Sequence, residues 1–262
     1  MSERDHLAAV LARVEKPGRY VGGEWNEIRK DPARVRTKVA LAFPDVYEIG
    51  MSYLGQKILY ALLNKDRDVL AERVFAPWPD LERELRTAGI PLASLESGRP
   101  LRAFDIVGFS LLYELNYSNV LTILDLGGIA LTSAERGEGS PLVIAGGPAA
   151  FNPEPIADIF DLVFVGDGEE GFPEIVRADA DMRRRGLPRR DRLRELGRIE
   201  GAYVPSLYRP AATEGSSLLV PRPEAGVPAV IRKRLVKNFS RSFFPEKIVV
   251  PGLRVVFDRV AI

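Results

Sequence analysis

Apolar residues in this chain come in short continuous runs, separated by stretches in which they recur every three or four positions. The runs are Lys38–Phe43, Val69–Phe75, Asp105–Ser110, Leu142–Ala145 and Asp161–Val165. Runs this short and this apolar predict strands covered on both faces, which means parallel pairing. Between them, Leu54, Ile58, Leu59, Leu62 and Leu63 share one face and predict a helix over 52–64. Pro79 at a first turn and Gly89 just past a last one predict a second helix over 79–88. A third is expected over about 115–127, closed by Gly127-Gly128, and a fourth after Gly166, reaching about Arg177. Ahead of them all, Ser2 as N-cap and the Leu7, Val10, Leu11 and Val14 face predict a short helix over 2–16. Five strand–helix units of this kind predict an α/β fold, a doubly wound five-stranded parallel sheet in the order 2-1-3-4-5.

The texture changes after Arg177. Four segments are expected: an N-terminal helix and Gly/Trp loop over 1–37, the α/β domain over 38–178, an arginine-rich linker or helix over 179–198, and a small β-rich extension over 199–262. In the extension, Tyr203–Tyr208, Ala229–Val236 and Leu253–Ile262 read as short strands, and it is expected to be the less ordered part.

Composition narrows the chemistry. Among 262 residues there is no cysteine and one histidine, His6. Disulfides, thiolate metal sites, iron–sulfur ligation by this chain and cysteine nucleophiles are excluded, and histidine general-base chemistry nearly so. A binding module fits better than a self-contained enzyme, and no catalytic residue or metal ligand is assigned. The net charge of +1 points to no acidic partner. No apolar run is long enough for a bilayer and the N-terminus lacks a signal-peptide core, so no membrane partner and a cytoplasmic address are expected.

Candidate binding residues lie where parallel α/β sheets hold ligands, at the carboxyl ends of strands. They are Asp45, Tyr47 and Gly50 after the first strand, Ser110 and Leu112 after the third, and Gly146 and Gly147 after the fourth. Each has a plainer reading: Asp45 as a helix cap, and the glycines as tight turns between strand and helix. The run Gly166-Asp167-Gly168-Glu169-Glu170 reads as acidic residues in a helix first turn rather than as a metal loop. Trp25 and Trp78 fall in loops, where they either close over a flat ligand or plug the sheet. The arginines of 183–194 alternate with Asp191 and Glu195 and have no aromatic platform, so a solvated helix is expected and nucleic acid is an unlikely partner. A flavodoxin-like phosphate site is disfavoured because no glycine-rich phosphate loop follows the first strand.

These pieces resemble a known family. Asp45-x-Tyr47-x-x-Gly50, Ser110-x-Leu112 and Gly146-Gly147 are similar to the D-x-H-x-x-G, S-x-L and G-G signature of cobalamin-binding domains, with tyrosine in place of the metal-ligating histidine. Gly22-Gly23-Glu24-Trp25-Asn26, Phe43-Pro44-Asp45, Phe75-Ala76-Pro77-Trp78-Pro79-Asp80, Gly146-Gly147-Pro148 and Gly166-Asp167-Gly168 widen the match. Together they resemble the amino-terminal half of bacterial radical S-adenosylmethionine (radical SAM) proteins that carry a cobalamin-binding-like, flavodoxin-like domain ahead of the radical domain. The resemblance implies that a 4Fe-4S cluster and S-adenosylmethionine belong to a radical domain beyond residue 262, the expected partner, and that the substrate is unknown. It implies that Ser110 meets the nucleotide tail of a cobalamin and that the glycines leave a slot for its base. Tyr47 would pack beneath the corrin or face solvent, leaving cobalt without a protein ligand. The alternative is a degenerate domain that binds no cobalamin and scaffolds the radical domain or recruits its substrate.

Overall fold

In the computed structural model, which describes residues 3–213, 218–238, 240 and 242–256 (3–6 by backbone alone), all five apolar runs become strands. They are β1 (Thr37–Phe43), β2 (Val69–Phe75), β3 (Ile106–Ser110), β4 (Leu142–Gly146) and β5 (Leu162–Phe164), parallel and in the order β2-β1-β3-β4-β5. The expected α/β architecture holds. A sixth strand, β6 (Ala202–Tyr203), joins β5 antiparallel and covers what would be an open edge.

Alternation along each strand divides the core between two faces. Val39, Leu41 and Phe43 of β1 face α3 (Leu54–Lys65) and α6 (Gly168–Arg184), while Ala40 and Ala42 face α4 (Pro79–Ala88) and α5 (Tyr117–Leu126). Helix α4 starts at Pro79 and ends on Gly89 in the left-handed region, where Ile90 N–H reaches back to Leu85 O at 3.1 Å. Helix α3 begins two residues later than expected, because Tyr47–Gly50 forms its own single turn, α2. The first helix, α1 (Glu3–Leu11), stops short of residue 16, and its expected cap Ser2 lies outside the described residues.

The arginine-rich region differs from expectation. Helix α6 runs through the expected boundary at 178 to Arg184, and α7 (Arg189–Leu196) follows. Arg189 and Arg192 are buried rather than solvated. Arg189 pairs with Asp161 at 2.8 Å, Arg192 with Asp179 at 2.5 Å, and Arg183 with Asp179 and Asp105. Asp105 and Asp161 sit at the amino ends of β3 and β5, where their carboxylates accept strand N–H groups from Lys38 and Val143. Buried carboxylates require cations, and this requirement draws the arginines inward.

The β-rich extension resolves into one hairpin, β7 (Tyr208–Ala212) with β8 (Leu219–Pro223), followed by an irregular strap to Val256. The expected strand at 229–236 supplies one bridging residue, Arg234, and the strand expected at 253–262 is irregular through 256 and otherwise outside the described residues. The strap returns to the N-terminal loop, where Val250 N–H donates to Trp25 O at 3.0 Å and Asn26 Nδ2 to Ile248 O at 2.9 Å. Among the described residues no helix is long and apolar enough to cross a membrane.

Candidate functional site

After β1 and β3 the chain leaves for opposite faces of the sheet, α3 on one and α5 on the other, the place where open α/β sheets leave a crevice. A cavity of about 420 Å³ opens over the ends of β3, β4 and β5, between the first turns of α3 and α6. Its walls are apolar: Leu41, Ile144, Leu59, Phe164 and Phe172. Glycine at 55, 108 and 168 keeps space clear, and Ser110, Asp167, Glu169 and Lys233 bring polarity to the lining. Ser110 and Gly146 are register partners across the β3–β4 ladder, and Leu111 N–H donates to Gly146 O at 2.7 Å. A methyl group at Gly146 would meet nothing nearer than 3.8 Å, so bare backbone faces open space. Gly147 has a different reason: its φ of 107° is left-handed, and a methyl there would lie 2.5 Å from Leu111 O. The Ser110 hydroxyl has no hydrogen-bond partner among the described residues.

The first strand end is built otherwise. Tyr47 is 1% exposed, its ring edge-on to Phe75 at 5.5 Å. Its hydroxyl donates to Glu24 in a short hydrogen bond and accepts Gly252 N–H at 2.9 Å. The Glu24 carboxylate lies 2.5 Å from the Arg73 guanidinium, which also pairs with buried Glu96 at 2.6 Å. Burial, then Glu24, pushes the Tyr47 phenol well above its usual value, so it stays protonated. Burial opposes the charge on Arg73, but Glu96 and Glu24 outweigh it and hold the guanidinium ionised. Glu96 itself is shifted upward by burial, with Arg73 pulling the other way.

Asp45 does not cap α2, whose N-cap is Val46 without a side-chain bond. Its carboxylate accepts the Tyr113 hydroxyl at 3.2 Å and Asn116 Nδ2 at 3.4 Å, tying β1 to the start of α5. Gly50 is needed for packing, since a methyl there would fall 2.2 Å from the Phe75 ring. Leu112 is half-buried against the α3/α6 side of the core and does not line the cavity. Of the seven candidates, then, Ser110, Gly146 and Gly147 meet at the cavity, and Asp45, Tyr47, Gly50 and Leu112 do not line it. Sequence reasoning missed Tyr53, Gly55, Phe172 and Lys233. The glycines in the first turns of two helices were a usable signal for the first three; nothing local marks Lys233.

The acidic run behaves as a helix start, with Glu169 and Glu170 in the first turn of α6. No group of three or more metal-ligating side chains occurs among the described residues. The tryptophans stand apart from the cavity: Trp25 is 76% exposed beside the strap, and the Arg19 guanidinium lies 5.1 Å over the Trp78 ring.

Comparison with known proteins adds the lineage. No curated protein and no solved structure matches the chain. A family model described as radical SAM proteins, N-terminal, matches residues 55–205, taking in α3, the whole sheet beyond β1 and the Ser110 and Gly146-Gly147 strand ends. That match spans more than half of the chain, and the chain belongs to this family of N-terminal domains of radical SAM proteins.

Proposed function

We propose that this domain holds a cobalamin for a radical SAM enzyme and takes the nucleotide tail of the cofactor into the cavity between α3 and α6. One observation carries the reading: Ser110 and the Gly146-Gly147 pair, the residues that the cobalamin-domain resemblance assigns to that tail, open together onto an apolar cavity at the strand ends. The residues present fit this part of the cofactor. Bare backbone at Gly146 suits the flat face of a base, and about 420 Å³ lies toward the small end of ligand sites, which run from about 300 to 1,000 Å³. A corrin macrocycle is too large for this cavity and would stay outside it. When bound, cobalamin supplies a transferable methyl group, and the cluster and S-adenosylmethionine belong on this reading to the radical domain beside it. The protein's own residues bind and orient. Ser110 would offer a hydroxyl to the tail, the apolar walls would exclude water from the base, and Tyr47, committed to Glu24 and Gly252, would not be free to act as a ligand.

Titration with hydroxocobalamin and methylcobalamin, followed by visible spectroscopy and calorimetry, tests this. Stoichiometric binding with a base-off spectrum is the expected result. Absence of binding, both by this chain and by the chain joined to its radical domain, would rule the reading out.

A second reading has its own support. Because Tyr47 and Glu24 fasten the strap to the end of β1, the domain is also built to set the course of its C-terminal segment. A pure scaffold would keep its structure and bind no corrin in either form of the titration.

A further inference from the structure

The strap that follows the hairpin brings a cation to the cavity. Arg234 donates its N–H to Val165 O at 3.1 Å and its carbonyl accepts Asp167 N–H at 2.9 Å, forming a parallel bridge over Gly166. Only glycine permits this approach. Its φ is 131°, and a methyl group at 166 would lie 2.1 Å from Arg234 O. Lys233 is therefore held among the cavity-lining residues by backbone bonds on its neighbour, not by its own side chain.

The neighbouring arginine has taken two acids of the α6 surface. Arg234 pairs with Glu174 at 2.6 Å and Glu170 at 3.6 Å. Of the two acids lining the cavity, Asp167 accepts Val236 N–H at 2.9 Å and Glu169 lies near enough to Tyr53 to help raise that phenol; both bring a carboxylate to the lining, and neither is ion-paired with Lys233. Lys233 pairs with no carboxylate among the described residues; its ammonium rests 5.5 Å from the Phe151 ring centroid. The exposed Lys233 ammonium, which has no carboxylate partner, and the unpaired Ser110 hydroxyl thus line one largely apolar cavity. An ammonium gains most from an anion with several oxygens, and apolar walls gain most from a flat ring.

We infer that the cavity takes a nucleotide, with a heterocyclic base between the apolar walls and its phosphate held by Lys233 and the Ser110 hydroxyl. The inference rests on the proposed role of the cavity and adds the phosphate and the residue that reads it. That phosphate has two sources, a free mononucleotide or the phosphodiester in a cobalamin tail.

Calorimetry on the full chain with two matched pairs separates them: adenosine 5′-monophosphate against adenosine, and cobalamin against cobinamide, which lacks the nucleotide. In at least one pair the phosphate-bearing member should bind about tenfold or more tightly, the scale of a charge-assisted hydrogen bond. Lys233→Ala should abolish that advantage, Lys233→Arg should restore most of it, and Arg232→Ala, which removes an adjacent exposed cation outside the cavity lining, should leave it intact. An advantage in the adenosine pair alone makes the ligand a free nucleotide and removes the corrin reading while keeping this one. Cobalamin and cobinamide binding equally, with no effect of Lys233→Ala, keeps the corrin and overturns this inference. Failure of all four ligands overturns this inference, and the same failure by the chain joined to its radical domain overturns the corrin reading with it.

Discussion

Around Tyr47 and around Ser110 the same sheet edge has been finished in opposite ways. At the end of β1 the phenol, two carboxylates and a guanidinium are buried and turned on one another, and the strap is fastened to them through Gly252. At the ends of β3 and β4 the Ser110 hydroxyl has no partner among the described residues, and the strap brings the exposed Lys233 ammonium, without a carboxylate partner, to the same largely apolar cavity. A buried polar group left without a partner costs free energy, so the first arrangement is what a fold does to complete itself. The second leaves a hydroxyl without an internal partner beside open space. Neighbouring strand ends of one sheet edge can thus serve different ends, one closed by internal partners and the next open as a pocket.

The sharpest way to break this contrast is to disturb the closed end. Arg73→Ala leaves Glu24 and Glu96 as uncompensated buried carboxylates and should destabilise the domain by about 3–5 kcal/mol, read from chemical denaturation. A loss below about 1 kcal/mol would mean that the network is not the internal fastening described. Gly147→Ala, next in size, forces a methyl group against Leu111 O in a left-handed turn, and a loss of about 1–3 kcal/mol is expected in the same assay. A neutral result would mean that the turn relaxes, and the cavity rim with it.

Tyr47→Phe is a finer probe, since the ring stays and two hydrogen bonds go. About 1–2 kcal/mol should be lost, with faster amide exchange over 248–253 and unchanged ligand affinity at the cavity. Binding that falls together with the strap would show that the two ends are not separate. The pH dependence has a definite sign. The Tyr47 phenol titrates above its usual value of 10 in the folded protein, so its contribution is complete below pH 10 and is lost as pH rises from there through the folded value. Stability of the wild type should therefore fall more steeply above pH 10 than that of Tyr47→Phe.

The contrast was only half legible in the sequence. Strand runs, helix spacing and the Gly89 stop depend on residues close together in the chain, and they placed the sheet and its order. Ser110 and Gly146 were readable for the same reason: each ends its own strand, and parallel neighbours bring strand ends together. The fate of Tyr47 was not readable, because its partners lie 23 and 205 residues away and only the folded strap delivers Gly252. Lys233 was hidden likewise, and buried Arg189 and Arg192 look no different in sequence from arginines on a solvated helix until Asp161 and Asp179 are placed beneath them.

The smallest expected change belongs to the open end. Ser110→Ala removes a hydroxyl that has no partner within the protein, so folding loses no hydrogen bond and stability should shift by less than about 0.5 kcal/mol. On the proposed reading the hydroxyl serves a ligand. Affinity for the phosphate-bearing ligand should drop by a few fold, about the worth of one neutral hydrogen bond of roughly 1 kcal/mol, and affinity for its phosphate-free counterpart should not change. A stability loss well above 1 kcal/mol would show that Ser110 is satisfied internally. The open end would then be structural like its neighbour, and the cavity would have lost the one hydroxyl proposed to meet a ligand.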